Sequence, residues 1–264
     1  MTTAAMTVKS EGSRYYWPNG QPCYEIPKKS SKGMKKPNIT DAREMGLVPS
    51  VTTILKVANK PALNAWLMEQ AALAVLTTPR LEGEGLDAFV KRVLQDDRVQ
   101  DEEAAAAADK GSSIHGAIEA AIQGKPWDGV WEPYVKSVFP VIESLGKIVW
   151  SEKIVVGDGY AGRADILLEN DRNLTLLDFK TTKSMPKKQS WDEHRMQTAA
   201  YAETIGNSGD RHILTGNIYI STILPGEVQL FLQEDWKRTY GLGFRKLLEY
   251  WQFINDYTPT KGTE

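Results

Sequence analysis

The 264-residue chain has one cysteine, Cys23, and only three histidines. A lone cysteine excludes an intramolecular disulfide and any zinc or iron–sulfur site built on several thiolates. Cys23 itself reads as a half-buried thiol in a loop. No stretch approaches the roughly 18 apolar residues of a membrane helix, and the opening residues, MTTAAMTVKSEGSRYY, lack an apolar core of signal-peptide length. A soluble, cytoplasmic protein with no membrane partner is expected. There is also no excess of charge: 32 Lys and Arg stand against 34 Asp and Glu, net −2. Nucleic-acid binding is not excluded by that balance, because a basic groove occupies only part of a surface.

What is present is ordinary for a globular chain, with 41% hydrophobic and 25% charged residues. One undivided domain over 1–264 is expected. Residues 1–47 read as an irregular arm with a turn at Pro18-Asn19-Gly20. Its lysines (Lys28, Lys29, Lys32, Lys35, Lys36) mark either a solvated loop or an arm lying on phosphates. Residues 48–146 read as mainly helical. Ser50 is a good N-cap, and apolar residues recur at helical spacing over 61–77 and 86–94. A helix-forming run at 102–108 leads to Gly111, and a separate helix carries Ile114, Ile118 and Ile122. One more helix is expected at 131–145. From residue 147 the texture turns β-rich. Strands are expected at 148–150, 154–156, 164–168 and 174–179, then a helix at 190–205. Strands at 213–222 and 227–232, a helix at 235–254 and a polar tail over 256–264 complete the chain. The order predicts an α/β fold: a central mixed sheet flanked by helices, with an N-terminal helical elaboration.

The chemistry concentrates in four places. Asp165 is placed at the opening of one strand. Asp178 and Lys180 end the next, two apart and therefore on one face, with Phe179 turned into the core. Two converging carboxylates repel unless a cation joins them, and hard oxygen ligands suit Mg²⁺ or Mn²⁺. A bound ion activates water and polarises a phosphodiester, and a neighbouring lysine stabilises developing negative charge. Alone, an acid-x-lysine pair is more often a solubility feature of a surface strand. Three further features weigh against that. His115 and Glu119 share a helix face one turn apart after Gly111. Gln197 and Tyr201 do the same on the helix after the acidic hairpin. Ser50, Thr52 and Thr53 sit at a helix start, where they serve either as a cap or as a phosphate cradle.

Together these residues resemble the PD-(D/E)XK nuclease superfamily and, within it, the RecB-type branch. That branch holds RecB nuclease domains, CRISPR adaptation nucleases, the mitochondrial genome-maintenance exonuclease and many phage exonucleases. Its ordered pattern reads here as Gly111-Ser112-Ser113-Ile114-His115, Gly162-Arg163-Ala164-Asp165, Asp178-Phe179-Lys180 and Gln197-Thr198-Ala199-Ala200-Tyr201. The segment Pro49–Leu55 is similar to the N-terminal part of phage and mitochondrial members.

The resemblance implies a restriction-endonuclease-like fold. It implies His115, Asp165, Asp178 and the Phe179 carbonyl as ligands to one or two Mg²⁺ or Mn²⁺ ions. Lys180 would be the catalytic lysine, supported by Gln197 and Tyr201, with Glu119 and Glu152 as accessory acids. Glu152 is placed at the start of the first strand. Ser50, Thr52, Thr53, Arg163, Thr181 and Lys183 are the expected DNA contacts. The iron–sulfur cluster of several relatives is excluded by the single cysteine. The implied activity is a metal-dependent exonuclease acting on single- or double-stranded DNA ends, in phage or plasmid recombination, replication or repair. A strand-annealing or single-strand-binding protein would be its partner. An endonuclease of the same superfamily and a non-catalytic DNA-binding protein on a nuclease fold are the alternatives.

Overall fold

The computed structural model describes residues 14–29, 32–58, 61–95, 98–206 and 209–259. The start of the expected arm and the end of the expected tail lie outside these residues. Where the sequence suggested one undivided domain, there are two compact units. One is formed by Met1–Val57 with Gly111–Glu264, the other by Ala58–Lys110.

The larger unit is a mixed α/β structure around a five-stranded sheet. Its strands are β1 (Lys147–Gly157), β2 (Tyr160–Glu169), β3 (Asn173–Thr182), β4 (His212–Ser221) and β5 (Val228–Gln233), in the spatial order β5-β4-β3-β2-β1. β3 and β4 run parallel and every other pair is antiparallel. The two stretches expected at 148–150 and 154–156 are one strand. It turns into β2 through Asp158-Gly159, with Gly159 at φ +79°, in the left-handed region that favours glycine.

Helices flank the sheet and cover both faces. The first helices of the larger unit are α1 (Ile39–Met45) and α2 (Val51–Leu55), which follow four two-residue strands; α3 (Pro61–Thr77) and α4 (Leu86–Gln95) belong to the smaller unit. α1 was not expected. A reciprocal cap between Asn38 and Asp41 holds it, with Gly46 closing its end at φ +67°. The long α5 (Arg98–Ile122) is continuous through Gly111, against the expectation of two helices. It is followed by α6 (Glu132–Leu145), α7 (Asp192–Ala202) and α8 (Arg245–Asn255). The last helix was expected to be unbroken from 235. A wider π turn over Thr239–Phe244, containing Gly241 and Gly243, interrupts it. Among the described residues no helix is long and apolar enough to cross a membrane.

Two apolar layers hold the sheet. On one face Ile166, Leu168, Leu177, Phe179, Ile218 and Ile220 meet Ile114, Ala117 and Ile118 of α5 and Val135, Val138 and Ile142 of α6. On the other, Leu167, Leu174 and Leu176 meet Val51 and Ile54, Ala200 and Tyr201, and Leu248 and Trp251. Each large side chain so buried stabilises the fold by roughly 1.5–3 kcal/mol. Because β3 lies mid-sheet between these layers, its alternation decides the site. Leu177 and Phe179 point to α5, while Asp178 and Lys180 point towards α7.

Candidate active site

The ladder between β2 and β3 ends at Ile166–Leu177. Beyond it, the Phe179 N–H donates to Asp165 Oδ2 at 2.7 Å, in place of a backbone carbonyl. That bond fixes Asp165 beside Asp178 and Lys180. Lys180 Nζ lies 2.6 Å from Asp178 Oδ2 and donates to Gln197 Oε1 at 2.9 Å. Gln197 in turn donates from Nε2 to Asp178 Oδ1 at 3.1 Å and to the Tyr201 hydroxyl at 3.0 Å. From the opposite layer, His115 Nδ1 stands 3.9 Å from Asp165 Oδ2, with its ring edge-on to Phe179. The four sequence motifs therefore meet at one place. Asp165 and Asp178 lie inside strands that run further than expected, β2 starting at Tyr160 and β3 ending at Thr182.

The two motif glycines have packing reasons. A Cβ on Gly162 would come within 2.5 Å of the Tyr201 ring, and one on Gly111 within 2.6 Å of Thr181 Oγ1. Gly111 thus lets α5 close onto β3, which is how His115 reaches the site. Gly162→Ala is expected to destabilise the protein by about 1–3 kcal/mol, the usual cost of overpacking. It should also slow any reaction by pushing Tyr201 off Gln197. Urea unfolding and rate measurements read both, and wild-type stability would show that the ring yields freely.

Glu152 is not at the start of β1 but near its middle. Ser151–Ile166 and Lys153–Ala164 pair on either side, so Glu152 lies across from Asp165. It adopts φ +51°, a left-handed backbone that costs a non-glycine residue roughly 1–3 kcal/mol. Arg163 Nε is 2.8 Å from Glu152 Oε2. The contact is an ion pair without hydrogen-bond direction, so this buried oxygen has no hydrogen-bond partner. Arg163, expected on DNA, is therefore turned to an acid of the site. Glu119 lies one turn beyond His115 and accepts from Gln123 Nε2 at 3.1 Å.

The electrostatics follow from burial. Burial, with Asp178 and Glu152 close by, pushes Asp165 well above the ordinary carboxylate range. Burial also lifts Glu152 to about 7, against the pull of Arg163 and with help from Glu119 and Asp178. His115 falls to about 4, chiefly through burial and then through the nearby Lys180. Burial works against the Lys180 charge, but Asp178 and Asp165 outweigh it and hold the ammonium above its ordinary value.

No protein-family model matches the chain, and no curated protein does. Among solved structures, one titled "Crystal structure of SSO0001" is similar over 76% of this chain and 98% of its own, at 14% identity and a TM-score of 0.32.

The expected helix-start cradle proves to be a cap. Ser50 Oγ accepts from the Thr53 N–H at 3.0 Å and lies 3.0 Å and 2.8 Å from the hydroxyls of Thr52 and Thr53. Thr53 Oγ1 donates to the Arg14 carbonyl. The three hydroxyls of the segment are thus engaged with one another, with the Thr53 N–H or with the Arg14 carbonyl. Thr181 lies under Gly111, and Lys183 is exposed just beyond β3. In the lysine-rich arm, Lys29 pairs with Glu44 and Lys35 with Asp41. Cys23 is buried rather than half-buried.

Sequence reasoning missed Asn217, Ser190 and Tyr219. The parallel register sets Asn217 beside Asp178 and Tyr219 beside Lys180, and Asn217 Nδ2 donates to Asp178 Oδ2 at 3.4 Å. The signal was available: Thr215, Asn217, Tyr219 and Ser221 alternate within an apolar strand, and all are buried.

Among the described residues, no three His, Asp or Glu side chains already close around a common point. The donor chemistry nevertheless fits a hard divalent cation. It offers a buried acid, Asp165, raised by burial and by neighbouring acids, a Glu152 carboxylate oxygen that takes no hydrogen bond, and an uncharged imidazole.

Proposed function

We propose that this protein is a metal-dependent deoxyribonuclease, of the RecB-type branch that its motifs resemble. The observation that carries the reading is the meeting of Asp165, Asp178 and Lys180, with His115 supplied from one layer and Gln197 from the other. His115, Asp165, Asp178 and the Phe179 carbonyl would hold one or two Mg²⁺ or Mn²⁺ ions, with Glu119 and Glu152 as accessory acids. Such an ion lowers the pKa of water and polarises a phosphodiester. Lys180 supplies a fixed positive charge where charge develops on the reacting phosphate. Gln197 and Tyr201 fix the orientation of Lys180 and Asp178. Lys183 is exposed three residues beyond Lys180 and is assigned to the DNA backbone.

The preferred mode is exonucleolytic, on DNA ends made in phage or plasmid recombination, replication or repair, beside a strand-annealing or single-strand-binding protein. End-labelled linear DNA and covalently closed circles, each with Mg²⁺, Mn²⁺ or a chelator, test the reading. Linear DNA is expected to be digested with either metal and spared by the chelator, while circles stay intact. Prompt cutting of circles would transfer the assignment to an endonuclease. No metal-dependent digestion would leave a non-catalytic DNA-binding protein, and equal digestion by Lys180→Ala would remove the site assignment.

A further inference from the structure

We infer that Asn217, backed by Ser190, Tyr219 and His194, is a positioning residue that sets the orientation of the Asp178 carboxylate. The inference rests on the reading of Asp178 as a metal ligand. Beside Asp178 lies a row of hydrogen bonds that the proposed reaction does not use. Asn217 Nδ2 lies 3.4 Å from Asp178 Oδ2, Ser190 Oγ 2.5 Å from Asn217 Oδ1, Tyr219 Oη 2.8 Å from Ser190 Oγ and His194 Nδ1 2.7 Å from Tyr219 Oη. Ser190, Asn217 and Tyr219 are buried.

The carboxylate dictates the direction of each bond. A carboxylate only accepts, so Asn217 must present its NH₂ to Asp178 and its Oδ1 to Ser190. The Ser190 hydroxyl hydrogen is then committed to Asn217, and Ser190 can only accept from Tyr219. With the Tyr219 hydrogen spent, the Tyr219 oxygen accepts from the Trp191 N–H at 3.2 Å and from His194. His194 must therefore carry its proton on Nδ1. One acid at the site thus fixes the tautomer of a histidine four groups away, and the rigid row fixes the acid in return. Lys180 and Gln197 hold Asp178 from the α7 side, and Asn217 holds it from β4. Partners of this kind typically contribute 10–100-fold to metal affinity or activity.

Two readouts test this on the full-length protein. Mn²⁺ titration calorimetry should give affinity about 10–100-fold weaker for Asn217→Ala, with a smaller loss for Tyr219→Phe and recovery towards wild type in Asn217→Gln. DNA KM should change little while kcat falls. Imidazole ¹⁵N shifts should report His194 protonated on Nδ1 in the metal-free wild type, and Tyr219→Phe should abolish that preference. Circular dichroism confirms that each variant is folded. Wild-type Mn²⁺ affinity in folded Asn217→Ala would overturn the positioning role alone. An Nε2-protonated His194 would overturn the directed row. A wild type that binds no Mn²⁺ would defeat the metal-site reading, and the positioning role would fall with it. The ¹⁵N result would still decide the row independently.

Discussion

Asp178→Asn is expected to slow DNA hydrolysis by about a thousandfold or more while leaving the chain folded, a loss typical of removing a charged group that acts in the transition state. Asp178 is 2% exposed and receives Lys180, Gln197 and Asn217. Asparagine keeps its shape but removes its charge and turns two N–H donors towards groups that themselves donate. The mismatch should cost about 1–3 kcal/mol of stability, which a domain of this size tolerates. Alanine would be harsher, because it leaves the buried Lys180 ammonium without its partner, a change worth about 3–5 kcal/mol. Initial rates on end-labelled DNA, taken with thermal melts, separate the two effects. An Asp178→Asn enzyme with more than about a tenth of the wild-type rate would remove Asp178 from the centre of the site.

The order of strands was legible because it is written locally. Leu174–Leu177 is an apolar run bounded by turn residues, and Asp178 and Lys180 fall on one face through the two-residue repeat alone. The meeting of His115 with Asp165 was legible only through the ordered motifs, since nothing local brings α5 to β2. What was hidden depends on contacts between distant segments. Gly111 reads as a helix boundary, at a cost of about 1 kcal/mol against alanine inside a helix. The close approach of Thr181 makes glycine the residue that fits, and the helix continues. Glu152 reads as a strand residue, and only its pairing across from Asp165 reveals the kink. Asn217 became a neighbour of Asp178 through a parallel register set by the α7 crossover, which has no short-range signature. Ser50 was legible as a cap, and the cap is what formed.

The acids that mark the site should also make the protein's stability depend on pH, and a divalent cation should oppose that dependence. Glu152 sits at about 7 in the fold, above its ordinary 4.5, and Asp165 is raised as well. For both, the native state binds more protons than the unfolded chain above the ordinary value, so stability falls as pH rises through the native one. For Glu152 the loss amounts to about 3 kcal/mol between pH 4.5 and 7. His115 runs the other way: held near 4 instead of 6.5, it contributes stability that is lost as pH falls through 4. Its slope offsets that of Glu152 between pH 4.5 and 6.5, and Asp165 leaves the net direction downward. With a chelator present, the protein is therefore expected to melt lower at pH 8 than at pH 5. Glu152→Gln should flatten that fall, and His115→Asn should steepen it. A bound cation needs the acids ionised, so protons compete with it at low pH. Mn²⁺ at about a hundred times its dissociation constant should add about 2.7 kcal/mol at pH 8, a rise in Tm of about 5–10 °C for a chain of this size. At pH 5 the same concentration should add much less. Scanning calorimetry at the two pH values, with and without Mn²⁺, measures every term. An equal Mn²⁺ shift at pH 5 and pH 8 would mean that the ion binds away from these acids.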